Sequence, residues 1–340
     1  QQNTRYVSIQ LGIGGWQTFS AQTVDEKGYG DCKALSNYTY SMLKALGIRS
    51  HYTLVRAGRG ERAIQTDFPS SQFNHVILCV PNKKDTVWLE CTSQRASFGY
   101  LGSFTGDRDV LLITEDGGKI VHTPIYNQSV NTLYRTAQVT LDAKGDAQAS
   151  VHTTYQAIQA EAIARLIHRK PDYQKKWLYD HLDIPNFEIE KFRLDLKKSK
   201  LPQATETLTL NIRKLASKSG KRLFLKPNLL NRSTYVPKRS KTRKSDIYVP
   251  SSVAYTDVDT IHFKIPEQYH AEYKPEPLTI NSDFGKYEMK VSLDAGKITY
   301  VRKMTVKAGT FSKEKYAEMI RFYKKIRKAD KEMIVLVSGT

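Results

Sequence analysis

The sequence predicts an α+β protein: a cysteine-bearing helix packed on an antiparallel sheet, followed by a mainly β, sandwich-like region with helical additions. Three observations predict it. Gly28-Tyr29-Gly30-Asp31-Cys32-Lys33 runs straight into apolar residues at helical spacing. His75-Val76-Ile77-Leu78-Cys79-Val80 is a continuous apolar run, followed by turn chemistry and a second strand pattern. From Thr132 onward, alternating apolar and polar residues recur in short segments separated by turns.

In chain order, residues 3–24 carry Leu11-Gly12-Ile13-Gly14-Gly15-Trp16-Gln17. This Gly-rich loop is no phosphate loop, since it has no Gly-Lys-Ser/Thr and no suitable strand before it. Asp31 is the N-cap of the next helix, whose stripe is Leu35, Tyr38, Met42 and Leu46, with Leu43 beside them; Gly47 ends it. Residues 51–55 read as a strand. The polar excursion 57–72, with Pro69-Ser70-Ser71, is long enough for a rim or lid. Residues 75–80 form a central strand, Pro81-Asn82-Lys83-Lys84-Asp85 its turn, and 86–90 the antiparallel return. This hairpin sets His75, at one strand's start, beside the other's end, near Glu90 or Cys91. The same register sets Cys79 opposite a residue near 87, which argues against a Cys79–Cys91 bridge.

A strand at 110–114 and a turn at Asp116-Gly117-Gly118 lead to Thr123-Pro124, which closes the first domain. The expected division is 1–130 and 131–340, with room for two subdomains in the second. Strand patterns follow at 134–141, 147–155, 187–196, 205–214, 222–225, 246–250, 258–265, 286–293, 297–307 and 333–337. Helical patterns fall at 160–168, 173–182 and 313–329, the last capped by Ser312 and carrying Tyr316, Ile320, Tyr323 and Ile326 on one stripe. The Lys- and Arg-rich stretch 237–244 reads as an exposed loop.

The net charge of +19 is uneven. Residues 1–130 hold 13 Lys/Arg against 11 Asp/Glu, and residues 131–340 hold 40 against 23. A basic second region suits an anionic partner such as nucleic acid, lipid head groups or acidic polysaccharide. Yet the charges are dispersed and no nucleic-acid motif accompanies them, so a solvated Lys-rich surface is the simpler expectation and no specific nucleic acid is assigned. No apolar run approaches the roughly 18 residues of a membrane span. Gln1-Gln2-Asn3-Thr4-Arg5 has no signal-peptide pattern, and the abrupt start suggests that sequence upstream has been removed. Cys32, Cys79 and Cys91 are too few for a disulfide framework and lack metal-ligand spacing; no acidic loop suggests calcium, and no cofactor is expected.

A cysteine at a helix start, with a histidine and an acid on neighbouring strands, is the layout of a papain-type nucleophile site. In that reading Cys32 attacks an amide or ester carbonyl, His75 is general base and acid, and Glu90 orients the imidazole. The Cys32 backbone N–H with Trp16 or Gln17 would bind the oxyanion; the alternative for Trp16 is a packed ring in a turn.

Gly30-Asp31-Cys32-Lys33, Phe73-Asn74-His75-Val76 and Trp88-Leu89-Glu90-Cys91-Thr92-Ser93, in that order, resemble the bacterial transglutaminase-like superfamily over about residues 5–95. Residues 5–15 resemble the segment before the nucleophile in a multi-domain subgroup, and 131–340 its β-rich C-terminal region. The resemblance implies a papain-like Cys-His-acid core and a peptide, protein or cell-wall peptide-stem substrate. It also implies a periplasmic or envelope location, and an N-terminal β-domain and signal peptide lying outside this chain. In one respect the chain departs from the family. The family's usual aspartate, in Trp-x-Asp-Pro-Thr, is Glu90 here, whose extra methylene shifts the carboxylate outward by about a bond length. The expected reaction is cysteine-dependent acyl transfer, with water giving hydrolysis and an amine giving transamidation. The competing reading is a weak or inactive pseudoenzyme serving as an envelope binding or assembly module. Nothing in the sequence bears on oligomeric state.

Overall fold

The computed structural model describes residues 3–9, 11–83, 85–240, 242–294 and 296–339, so Lys84, Lys241 and Ala295 of the expected turns and loop lie outside the described residues. The chain is α+β and divides into two compact units, Gln1–Tyr126 with Lys198–Pro202, and Asn127–Lys197 with Gln203–Thr340.

In the first unit β1 (Arg5–Tyr6) runs parallel to β2 (Tyr29–Gly30), on either side of α1 (Ala21–Lys27). Helix α1 was not expected from the sequence. Ser20 caps its start by accepting from the Thr23 N–H, and Gly28, at φ +66°, ends it in the left-handed conformation that favours glycine. Helix α2 (Cys32–Ala45) follows after one residue, Asp31, whose carboxylate accepts from the Ala34 N–H at 2.9 Å. The expected stripe is buried only at its N-terminal end: Leu35 is in the core, whereas Met42 and Leu46 are 45% and 74% exposed. Burial is thus concentrated where the cysteine sits. There Ala34 and Leu35 join Val24, Leu78 and Cys91 in a small core.

Behind the helix, β3 (His51–Val55), β4 (His75–Pro81), β5 (Thr86–Leu89), β6 (Asp109–Thr114) and β7 (Gly117–His122) form an antiparallel sheet in the order β5-β4-β3-β6-β7. The five successive buried residues of β4, His75 to Cys79, explain its continuous apolar run: one face meets α2 and the other is covered too. Cys79 pairs with Trp88, one residue from the expected partner, and all three cysteines are free. A short helix, α3 (Gly102–Thr105), completes the unit.

The second unit contains β8 (Thr132–Leu141), β9 (Ala147–Gln156), α4 (Glu161–Leu166), α5 (Pro171–His181), β10 (Phe187–Lys197), β11 (Gln203–Ile212), β12 (Ala216–Ser219) and β13 (Arg222–Leu225). It continues with β14 (Ile247–Val249), β15 (Tyr255–Lys264), β16 (Tyr269–Tyr273), β17 (Leu278–Ser282), β18 (Gly285–Asp294), β19 (Lys297–Val306), β20 (Gly309–Phe311), α6 (Tyr316–Ala329) and β21 (Ile334–Ser338). An eight-stranded sheet has the order β10-β11-β9-β8-β15-β19-β18-β17, and a four-stranded sheet the order β12-β13-β21-β16. In the larger sheet β8 and β15 are parallel and every other pair is antiparallel. Val151, Leu210 and Tyr300 of the large sheet, Leu223 and Leu336 of the small one, and Phe322 and Ile326 of α6 share one apolar core.

A row of polar residues crosses that core face. Glu206, Thr153, Arg135, Asp259 and Arg302 are successive cross-strand neighbours on five adjacent strands. Arg135 donates to Thr153 Oγ1 at 3.0 Å and to Asp259 Oδ1 at 3.1 Å. Arg302 grips Asp330, at the end of α6, through Nε at 2.9 Å and Nη2 at 3.2 Å. Asp330 also accepts from the Tyr287 hydroxyl and the Ser233 N–H, both at 2.8 Å.

Candidate active site

The site is assembled by three local devices. The first presents Cys32. Gly28 stops α1, and Gly30 lets the chain press against α2: a Cβ there would lie 2.7 Å from the Ala34 Cβ. Asp31 then caps the helix, and Cys32 becomes its first residue. Ser36 Oγ donates to the Val76 carbonyl at 3.2 Å, fastening that end of α2 to β4 one residue beyond His75.

The second device holds His75, the first residue of β4. Asn74 makes two hydrogen bonds to Ala57, Oδ1 accepting at 2.7 Å and Nδ2 donating at 3.0 Å, which fixes the chain entering the strand. Phe104 meets the imidazole edge-on, 5.2 Å between ring centres. The third holds Glu90, just past the end of β5. Thr92 donates to its Oε1 through N–H at 3.0 Å and Oγ1 at 2.5 Å.

The hairpin brings His75 and Glu90 together: Nε2 lies 2.9 Å from Oε2 and 3.2 Å from Oε1, with both side chains under 10% exposed. The Cys32 side chain stands near enough to the ring to raise its pKa. With Nε2 occupied by the carboxylate, Nδ1 is the nitrogen left for the sulfur. Burial alone lowers the His75 pKa; the hydrogen bonds and negative charge supplied by Cys32 and Glu90 outweigh it and raise the value to about 9. Burial pushes Glu90 up, but the His75 and Thr92 contacts win and leave it below the usual carboxylate value. Burial pushes the Cys79 and Cys91 thiols up to about 11, against the lowering hydrogen bonds of Thr39 and Ser36 at Cys91; such thiols are poor nucleophiles.

Cys32 and His75 open onto a cleft of about 750 Å³. Ser70, Ser71 and Phe73, at the end of the polar excursion, line one side. Gln72 braces that excursion by accepting from the Gln65 N–H and donating to the Gln65 and Phe68 carbonyls. Trp16 forms part of the cleft wall with 77% of its surface exposed, whereas Gln17 is exposed and outside the lining. Tyr52 on β3 went unnoticed in the sequence. It lines the cleft, and its hydroxyl donates to the Lys33 carbonyl, next to Cys32, at 3.4 Å. Among the described residues, no group of three or more His, Cys, Asp or Glu is placed to hold a metal ion, and no helix is long and apolar enough to cross a membrane.

A family model described as a domain of unknown function with a solved structure (DUF3858) matches residues 221–336. No curated protein matches the chain in sequence. Among solved structures, the chain is similar to a Parabacteroides distasonis protein described as a "putative protease", with a TM-score of 0.51 and 13% identity over 99% of this chain. The chain spans about half, 49%, of that protein's length, and the likeness is one of fold.

Proposed function

We propose that this chain is a cysteine-dependent acyl-transfer enzyme acting on amide bonds of peptides, proteins or cell-wall peptide stems, built on a transglutaminase-like, papain-like core within residues 1–130. The observation that carries the reading is the linked set Cys32–His75–Glu90, with sulfur and imidazole open to a cleft and the carboxylate behind the ring. The protease description of the structural neighbour is in keeping with it.

Cys32 Sγ attacks the substrate carbonyl carbon with its proton already held on His75 Nδ1, where the raised pKa of the ring and the Glu90 carboxylate favour the imidazolium. The Cys32 N–H, which has no intrahelical partner at the first position of α2, points at the new oxyanion. Tyr52 offers a second donor once its hydroxyl turns from the Lys33 carbonyl to the oxyanion, beside Trp16, which the sequence nominates and which also lines the cleft. Collapse breaks the C–N bond, His75 returns the proton to the leaving amine, and a thioester remains on Cys32. Water then gives hydrolysis, and an amine gives transamidation. A periplasmic or envelope location suits a cell-wall substrate and belongs to the same proposal.

Iodoacetamide labelling tests the core of the reading. Cys32 is expected to alkylate rapidly below pH 8, with Cys79 and Cys91 spared and labelling lost in Cys32→Ala. A folded protein whose Cys32 reacts no faster than the two buried thiols would overturn the reading in favour of a pseudoenzyme that binds peptide without turning it over.

A further inference from the structure

The basic residues 237–240 and 242–244 are unused by the proposed chemistry, and Lys238 and Arg243 among them are fastened to the start of α6. The Tyr316 hydroxyl donates to the Lys238 carbonyl at 2.7 Å, the Arg243 guanidinium stacks 4.7 Å over the Tyr316 ring, and the Lys313 N–H donates to Asp246 Oδ1 at 3.1 Å. Between the two runs a groove of about 630 Å³, lined by five cations, Arg239, Arg243, Lys313, Arg321 and Lys324, and a single acid, Glu314. That acid is engaged by the Ser312 hydroxyl. Cations stand on both banks, and those of the helix side extend over about 16 Å at a rise of about 1.5 Å per residue. Arg243 gives Nη2 to the Asp246 carbonyl, while its Nε is buried without a hydrogen-bond partner among the described residues.

We propose that this groove binds an acidic oligosaccharide, its carboxylate or sulfate groups paired with the two rows of cations. Arginine favours such groups because its planar fork matches their oxygens. A concave channel suits one chain better than the face of a bilayer. The Tyr316 ring is already covered by Arg243, so it offers no free platform for stacking a nucleic-acid base. Ala317 and Ile320 also line the groove and offer apolar contact to sugar C–H faces. The proposal is independent of the acyl-transfer reading.

The test is fluorescence anisotropy with a labelled heparin octasaccharide and the full chain, at 50 mM and 150 mM NaCl. Arg321→Gln/Lys324→Gln removes two exposed cations of the groove, and Lys175→Gln/Lys176→Gln removes two exposed cations of α5. Circular dichroism checks that both variants are folded. The groove variant is expected to bind at least tenfold more weakly and the α5 variant within threefold of the parent, with unlabelled octasaccharide displacing the probe at lower charge concentration than inorganic polyphosphate or oligo-dT. Equal weakening in both variants would show binding to net charge and overturn the site. Displacement as good by polyphosphate or oligo-dT would overturn the saccharide assignment, and so would a parent protein that does not bind the probe.

Discussion

His75–Glu90 in the first unit and Arg302–Asp330 in the second are both buried ion pairs with a shortest separation of 2.9 Å. They differ in what the remaining valences do. Asp330 uses both oxygens on Arg302 and also receives Tyr287 and Ser233. The remaining guanidinium nitrogen, Nη1, has no hydrogen bond among the described residues but stands 3.6 Å from Asp259. That network is closed on itself, and α6 is anchored to the sheet by it. His75 turns Nε2 to the carboxylate and leaves its other nitrogen free of that pair, in a cleft that Cys32 also lines. A closed network specifies one packing of the interior, whereas a pair with one open side can exchange a proton with something that arrives.

Three variants probe the contrast. Glu90→Gln keeps the side chain's size and removes its charge. Turnover of an activated amide should fall by up to about 10⁴-fold, the size of the loss when the acid behind a catalytic histidine is neutralised. The carboxylate helps hold His75 near 9, so the alkaline limb of the pH–rate profile should move to lower pH. Stability carries the same signature. Because the folded His75 pKa is raised, its contribution is fully present below about 6.5 and is lost as pH rises through about 9. Glu90→Gln should flatten that decline in urea midpoints between pH 7 and pH 10, and an unchanged profile would remove Glu90 from the site.

Asp330→Ala opens the closed network and leaves Arg302 buried without its main partner. The expected cost is about 3–5 kcal/mol by urea unfolding. Cys32 alkylation at 25 °C should be unchanged while the chain stays folded; a loss under about 1 kcal/mol would mean that Arg302 finds other partners and the network is not closed. Tyr52→Phe is the smallest perturbation. Acylation of Cys32 by p-nitrophenyl acetate should slow by about 10²-fold, as when one oxyanion donor is lost. Iodoacetamide alkylation, which forms no oxyanion, should keep its rate. Equal effects on both reactions would return Tyr52 to a packing role.

The legible parts were those set by short-range rules. His75 and Glu90 meet because a short turn and strand alternation leave few registers, and Cys32 heads its helix because Gly-Tyr-Gly-Asp writes a stop and a cap. Tyr52 escaped notice because its place depends on β3 lying beside β4, which no local pattern encodes. The side chains of Trp16 and Gln17 hang on a Gly-rich loop whose direction is equally nonlocal. The buried charges did leave a trace. In β19, Ile298, Tyr300, Arg302, Met304 and Val306 alternate inward, and Arg302 holds an apolar position. Arg135, Asp259 and Glu206 do the same on their strands. Inward charges recurring over nearby strands, two of them on β15 at Asp257 and Asp259, are the signal of a matched row.

The parallel pairing of β8 with β15 carries a consequence for how the second unit can be divided. Thr132–Thr140 lies against Thr256–Lys264, so two central strands are joined by more than a hundred residues of intervening chain. Such nonlocal closure raises contact order and slows folding. It also means that residues 221–336, the stretch a family model marks off, do not coincide with a self-sufficient folding unit. Excised, that stretch would bare the long edge of β15 and strip Asp259 of Arg135, inviting intermolecular strand pairing. The boundary found by comparing sequences and the boundary across which this polypeptide can be cut are different lines.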